Sequence, residues 1–241
     1  MADPLAGRVL VTGAAGGIGS AVCALLAERG VDVVAADLRD APVELDVTDP
    51  AAVEAVVGGL GPLDGLVLAH GITALGPAVD VPMEAVRRVI DVNLIGTIAV
   101  TRAALPGLVE RGGRIAVLSS VAGFAPLVHR TAYAGSKHGV EGWFASLRAE
   151  VAPEVSVTIV SPSFTATGIE ERAAHRAPGE AGEWSTTGEV LDPAEVARAV
   201  VSGMDRRLDR VLPSATARRA YLLSRLAPVT YERLMRRRIL G

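Results

Sequence analysis

The stretch that decides the fold is Arg8-Val9-Leu10-Val11-Thr12-Gly13-Ala14-Ala15-Gly16-Gly17-Ile18-Gly19. Its first half is an unbroken apolar run, which reads as a strand buried on both faces. Its second half carries four glycines. Glycines let a backbone turn sharply and approach a bound pyrophosphate closely. The helix expected next, over 17–29, would add N–H donors and a partial positive charge. A tight turn alone looks similar, but here the glycines sit between a strand and a helix, as phosphate binding requires.

Working outward, apolar runs alternate with helical stretches. Strands are expected over 8–12, 31–36, 63–69, 114–118 and 155–160, with a short run at Val211-Leu212. Helices are expected over 17–29, 50–60 behind the capping pair Thr48-Asp49, 82–110 with a break near Pro106, 131–151 and 193–207. Such alternation implies a parallel sheet covered on both faces, an α/β fold. The polar segment 162–191 is too long for a plain connection and reads as a lid or partly disordered.

The second strand ends Ala35-Ala36-Asp37. An acid there accepts hydrogen bonds from a ribose 2′-hydroxyl and repels a 2′-phosphate, so Asp37 favours NAD over NADP. Arg39 lies close enough to weaken that preference. Further on, Tyr133 and Lys137 are four residues apart, on one face of the expected helix. A cation beside a phenol favours the phenolate, so Lys137 should lower the Tyr133 pKa and equip it to exchange a proton with an alcohol oxygen. Ser120, at the end of the strand 114–118, offers a hydroxyl to the same oxygen, with Ser119 as the competing choice.

Composition narrows the field. The 241 residues are 50% hydrophobic and 21% charged, enough for a large core, but only 3% aromatic. One cysteine precludes an intramolecular disulfide, and no Cys/His cluster has zinc spacing, so no metal is expected. The start of the chain lacks the basic flank and apolar run of a signal peptide, and no apolar run reaches about 18 residues, so a cytoplasmic protein is expected. Net charge is −3, with +7 over 205–241 and −10 elsewhere, which argues against nucleic acid as partner. There is no Gln, one Asn (Asn93) and one Lys (Lys137) against 23 Arg. Drift toward Arg would remove Lys wherever Arg suffices, which marks the two survivors as candidates for chemistry.

These elements together resemble the short-chain dehydrogenase/reductase family. The match rests on Thr12-Gly13-x-x-Gly16-x-x-Gly19, Asp46-Val47, Asn93, Ser119-Ser120, Tyr133-x-x-x-Lys137, and Pro162 followed by Thr167. The resemblance spans about residues 5–213 and implies a single Rossmann-like, doubly wound α/β domain with a seven-stranded parallel sheet. It implies an NAD-dependent oxidoreductase acting on an alcohol or ketone, as a homodimer or homotetramer. Tyr133 would be the general acid/base, Lys137 would tune it and hold the nicotinamide ribose, Ser120 would orient the substrate oxygen, and Asn93 would hold a water in a proton relay. The cofactor would be lined by Gly13, Ala15, Gly16, Gly17, Ile18, Gly19, Asp37, Leu38, Asp46, Val47, Ala69, His70, Gly71, Pro162, Ser163, Thr165 and Thr167. Two departures stand out: His70 where the family often has Asn, and Ser163 where it has Gly.

The substrate end is expected from Ser120, Ala122, Phe124, Leu127, Val128, Tyr133, Phe164 and Trp184, with His129 and His175 as polar contacts. This mostly apolar set suits a lipophilic or medium-sized alcohol or ketone. Residues 214–241 form a basic helical extension, split by Pro228. Packing against the domain, near the pocket or at a dimer interface, is the reading taken; docking on an anionic membrane surface is the alternative. A non-catalytic cofactor-binding scaffold and an NADP-dependent carbonyl reductase are the rival functions.

Overall fold

The first strand, β1 (Arg8–Thr12), lies inside a seven-stranded, wholly parallel sheet. The computed structural model describes residues 4–177 and 189–240. In chain order the other strands are β2 (Asp32–Asp37), β3 (Val43–Glu44), β4 (Gly65–Leu68), β5 (Ala74–Leu75), β6 (Arg114–Leu118), β7 (Ser156–Val160), β8 (His175–Arg176) and β9 (Arg210–Val211). The sheet order is β3-β2-β1-β4-β6-β7-β9. The chain winds outward from β1 through β3, then returns to build the other half from β4. β5 and β8 form a separate two-stranded parallel pair.

The helices are α1 (Gly17–Glu28), α2 (Pro50–Gly59), α3 (Met83–Ile90), α4 (Thr97–Arg111), α5 (Thr131–Val151), α6 (Pro193–Asp205), α7 (Ala215–Leu226) and α8 (Pro228–Leu240). Strand alternation divides the core. Leu10, Leu66 and Ile115 face α2, α4 and α5, through Val53, Val100, Leu108 and Phe144. Val9, Val11 and Val67 face α1 and α6, through Val22, Leu26, Val200 and Met204. With so few aromatics, aliphatic side chains worth about 1.5–3 kcal/mol each on burial carry this core.

The helix starts follow their capping signals. Asp49 accepts from the Ala51 and Ala52 amides ahead of α2. Asp192 and Glu195 form a reciprocal capping box on α6. The expected break at Pro106 is not found: α4 runs through it. Pro106 lies on the solvent side, where the carbonyl it cannot pair is open to water. The irregularity falls earlier, at Asp91–Gly96, a π-helical turn that buries Asn93. The stretch Met83–Arg111 holds an 18-residue window of mean hydropathy 1.5 and is long and apolar enough to cross a membrane. Here it is a core helix, with Val89, Val100, Ala104 and Leu108 buried.

Candidate active site

A cavity of about 540 Å³ opens at the C-terminal ends of β1, β4 and β6, beside the point where strand order reverses. This is where open α/β sheets bind ligands. Thr12, Gly13, Gly16, Gly17 and Ile18 form one wall. α1 is preceded by Gly16 at its N-cap, with no side-chain cap, so its first N–H groups are free for an anion. Gly13 has φ +73°, and a Cβ there would lie 2.4 Å from the His70 amide nitrogen. A Cβ on Gly17 would come within 3.1 Å of Thr167, so the absent side chain lets the segment after β7 close over the helix start. Gly19 and Ala15 do not line the cavity; Ala15 donates its amide to Asp37 at 2.9 Å.

Asp37 sits at the end of β2, on the cavity wall with Leu38, Asp46 and Val47. Its carboxylate accepts from the Ala15 and Leu38 amides, at 2.9 and 2.7 Å. A free helix N-terminus, glycine clearance and an acid at this strand end fit a dinucleotide. Among the described residues, no group of three or more His, Cys, Asp or Glu could hold a metal.

His70 lines the cavity beside Ala69 and Gly71 and is satisfied at both ring nitrogens. Nδ1 is 2.6 Å from Thr12 Oγ1, and Nε2 is 2.9 Å from Thr97 Oγ1. Thr97 gives its own proton to the Asn93 carbonyl at 2.8 Å, so it accepts from Nε2–H, and Thr12 donates to Nδ1. Burial, with Lys137 nearby, lowers the His70 pKa to about 3, so the ring stays neutral.

Ser120 accepts from the Ala122 amide at 3.1 Å and lines the cavity with Tyr133. Ser119 is turned away: its hydroxyl is buried against Gly123 with no hydrogen-bond partner. The geometry therefore selects Ser120. Burial raises the Tyr133 pKa, opposed by the Ser120 hydrogen bond and the Arg130 charge. This corrects the expected electrostatics. Lys137 Nζ donates to the Leu118 carbonyl at 2.7 Å and lies 5.8 Å from the Tyr133 ring centre. The strand-end carbonyl holds the ammonium, and Arg130 is the cation that favours the phenolate. Burial lowers the Lys137 pKa to about 8, and Glu141, one turn along α5, supports its charge.

Asn93 is buried beside this group. Its side chain is engaged in protein hydrogen bonds: Oδ1 accepts from the Ile72 amide, and Nδ2 donates to the Ile72 carbonyl and to Ser136 Oγ. Even so, the only Asn and only Lys converge. A carbon on Gly71 would lie 3.2 Å from Asn93 Oδ1 and 3.7 Å from Lys137 Nζ.

At the substrate end the cavity is lined by Ala122, Leu127, Phe164 and Tyr133, as expected, and by Pro162, Ser163, Thr165 and Thr167 on the cofactor side. Phe124 and Val128 do not line it. Phe124 instead stacks edge-on with Tyr221 of α7, 5.1 Å between ring centres. His129 and His175 are also off the cavity wall: the His129 carbonyl accepts from Gly76, and His175 belongs to β8. Trp184 lies outside the described residues.

The sequence gives no sign of Arg130 and places 214–241 near the pocket without naming its contacts. Arg130, three residues before Tyr133, is buried on the wall, paired with Glu170 and stacked over Phe164. Thr216, Ala220, Tyr231 and Met235 bring α7 and α8 into the wall. The available signal is the four-residue spacing of Thr216 and Ala220, and of Tyr231 and Met235.

Residues 7–177 match the short chain dehydrogenase family profile. The chain belongs to that family. This short-chain dehydrogenase is 31% identical over 260 residues to the dehydrogenase/reductase SDR family protein 7-like of Anopheles gambiae, across 95% of this chain and 82% of the mosquito protein. It is 32% identical over 201 residues to dehydrogenase/reductase SDR family member 7B of Bos taurus, where 80% of this chain spans 62% of the bovine protein. Among solved structures, a short-chain dehydrogenase from Streptomyces avermitilis superposes with TM-score 0.80 at 26% identity, over 97% of both chains. One from Burkholderia cenocepacia, in complex with NADP, gives 0.83 at 24% identity over 100% of both.

Proposed function

We propose that this short-chain dehydrogenase transfers hydride between NAD(H) and an alcohol or ketone with an apolar body. The observation that carries the reading is that Ser120, Tyr133 and buried Lys137 line one cavity with the glycine turn. NAD(H), when bound, supplies or accepts the hydride. The chain's residues do the rest. The α1 start receives the pyrophosphate, Asp37 the adenosine ribose, and Asp46 and Val47 flank the adenine. Ser120 donates to the substrate oxygen, and Tyr133 passes its phenolic proton to or from that oxygen. Lys137 holds the nicotinamide ribose hydroxyls. Asn93 holds the loop at Ile72 and, through it, the floor beside Lys137.

Asp37 supports NAD over NADP, because its carboxylate stands where a 2′-phosphate would be repelled. The mainly apolar substrate wall supports a lipophilic or medium-sized secondary alcohol or ketone. A cytoplasmic homodimer or homotetramer completes the proposal. In a panel of secondary alcohols with NAD, Tyr133→Phe should lower kcat by at least about 100-fold. NADH titration by fluorescence should be unchanged. Turnover that survives the substitution refutes the mechanism, and tighter binding of NADPH than NADH refutes the cofactor assignment.

A further inference from the structure

α7 and α8 have two working faces. The inner face packs on the domain through Ala217, Ala220 and Tyr231, and contributes Thr216, Ala220, Tyr231 and Met235 to the cavity wall. The outer face is apolar where water should be. Leu222 is 59% exposed, Leu226 82% and Val229 56%. Leu222 and Leu226 are four residues apart, so they share one face of α7, and Val229 follows at the corner into α8. Exposed Arg218, Arg219 and Arg225 flank the leucines, and exposed Arg233, Arg236 and Arg237 continue the basic surface along α8. Residues 215–240 hold seven Arg against one acid, Glu232.

We propose that the α7–α8 corner docks this protein on an anionic lipid bilayer surface. The chemistry suits the headgroup boundary. Leucine and valine enter the acyl edge, while arginines extend their apolar stems along it and keep their guanidinium groups at the phosphates. A second copy fits worse. A two-fold contact through this corner would set the arginines of one chain against those of the other. The body of the chain, at −10, is repelled by an anionic surface, so the basic corner must lead the approach and sets the orientation. Docked this way, the helices that touch lipid also form the substrate wall. An apolar substrate dissolved in the bilayer then has a short path to Tyr133, a consequence that rests on the proposed function.

The test is co-sedimentation of the full chain with vesicles, a readout independent of activity. Binding is expected to 3:1 phosphatidylcholine:phosphatidylglycerol vesicles, and not to phosphatidylcholine alone. Arg219→Gln/Arg233→Gln/Arg236→Gln should weaken it on the order of 100-fold, from roughly five-fold per arginine. Leu222→Ser/Leu226→Ser, at exposed positions the fold does not need, should weaken it at least about 10-fold. Three results overturn the proposal: no binding to the anionic vesicles, binding indifferent to both variants, or Leu222→Cys cross-linking two copies while vesicles bind nothing. Failure here with an intact Tyr133-dependent turnover leaves the proposed reaction standing. Vesicle binding without turnover refutes the reaction and leaves the docking surface.

Discussion

Replacing Glu141 by Gln removes the carboxylate whose charge supports Lys137. Glu141 is 8% exposed and accepts from Ser161 Oγ at 2.8 Å and from Arg210 at 2.6 Å. Arg210 in turn lies over the Tyr221 ring, 5.0 Å from its centre, so α7 rests on the same network. Residues one helical turn apart lie about 6 Å from one another. Two unit charges at that distance, in an effective dielectric of about 20, interact by about 2.8 kcal/mol, equivalent to about 2 pH units. Arg210 already engages the carboxylate, so about half of this should reach Lys137. The Lys137 midpoint should therefore fall from about 8 by roughly 1 pH unit. The other titratable groups near the ammonium, His70 after β4 and Tyr133 one turn before it on α5, are left in place. The chain has one lysine, so lysine labelled with carbon-13 at Cε gives a single resonance whose titration reads the midpoint directly. The same variant leaves Arg210 without its partner. Breaking a buried pair costs about 3–5 kcal/mol, and with Arg210 partly exposed the low end applies, which lowers Tm by roughly 6–10 °C. A wild-type midpoint near the ordinary value for lysine, or one that Gln does not move, refutes the network. The pH sense is also fixed. The folded pKa lies below the unfolded one, so the unfolded chain binds more protons between about 8 and 10.5, and this group's contribution to stability rises with pH across that window.

Three further outcomes follow from the geometry. Gly13→Ala places a Cβ against the His70 backbone at a left-handed φ, and should cost at least about 2 kcal/mol in chemical denaturation while abolishing NADH binding. His70 has its pKa lowered to about 3, so the unfolded chain binds the extra proton between 6.5 and 3. Stability should then fall by up to roughly 1.4 kcal/mol per pH unit on acidification through that window, and His70→Asn should remove this slope from the urea midpoints. Ala220→Trp fills the α7 part of the cavity, and should raise KM for a bulky apolar alcohol at least about 10-fold over a short one, with NADH binding unchanged.

The long apolar strands and their caps are readable because each signal is local: a run of valines, an Asp before a Pro, glycines after Thr12. β3, β5 and β8 are not, since two-residue strands carry no periodicity and exist only because a neighbouring strand offers its edge. Pro106 misleads because its effect depends on which way the helix faces. The carbonyl of Arg102, which Pro106 has no N–H to pair, meets water, so nothing forces a kink there. In the site, residue identities are legible and their electrostatics are not. Spacing puts Lys137 beside Tyr133, but it cannot show the Leu118 carbonyl competing for the ammonium, or Arg130 folding back against Phe164. Phe124 reads as a substrate contact because it follows Ser120 closely. The fold turns it outward to meet Tyr221, a contact nearly a hundred residues away in sequence.

The survival of one Asn and one Lys in a chain rich in Arg has a physical reason at each position. Asn93 both accepts from the amide and donates to the carbonyl of Ile72, pairing with that residue as a neighbouring strand would. Arg has no acceptor and Asp no donor, while Gln would carry the amide one methylene too far. Lys137 is 4% exposed, with the Leu118 carbonyl accepting at its tip. A guanidinium brings five N–H donors in a rigid fork, and burying it there would leave several unpaired in a space sized for an ammonium. It also cannot be deprotonated in the working range, whereas burial has brought Lys137 to about 8, within reach of proton exchange beside Tyr133. On the surface of α7 and α8 neither constraint holds, and every cation there is arginine.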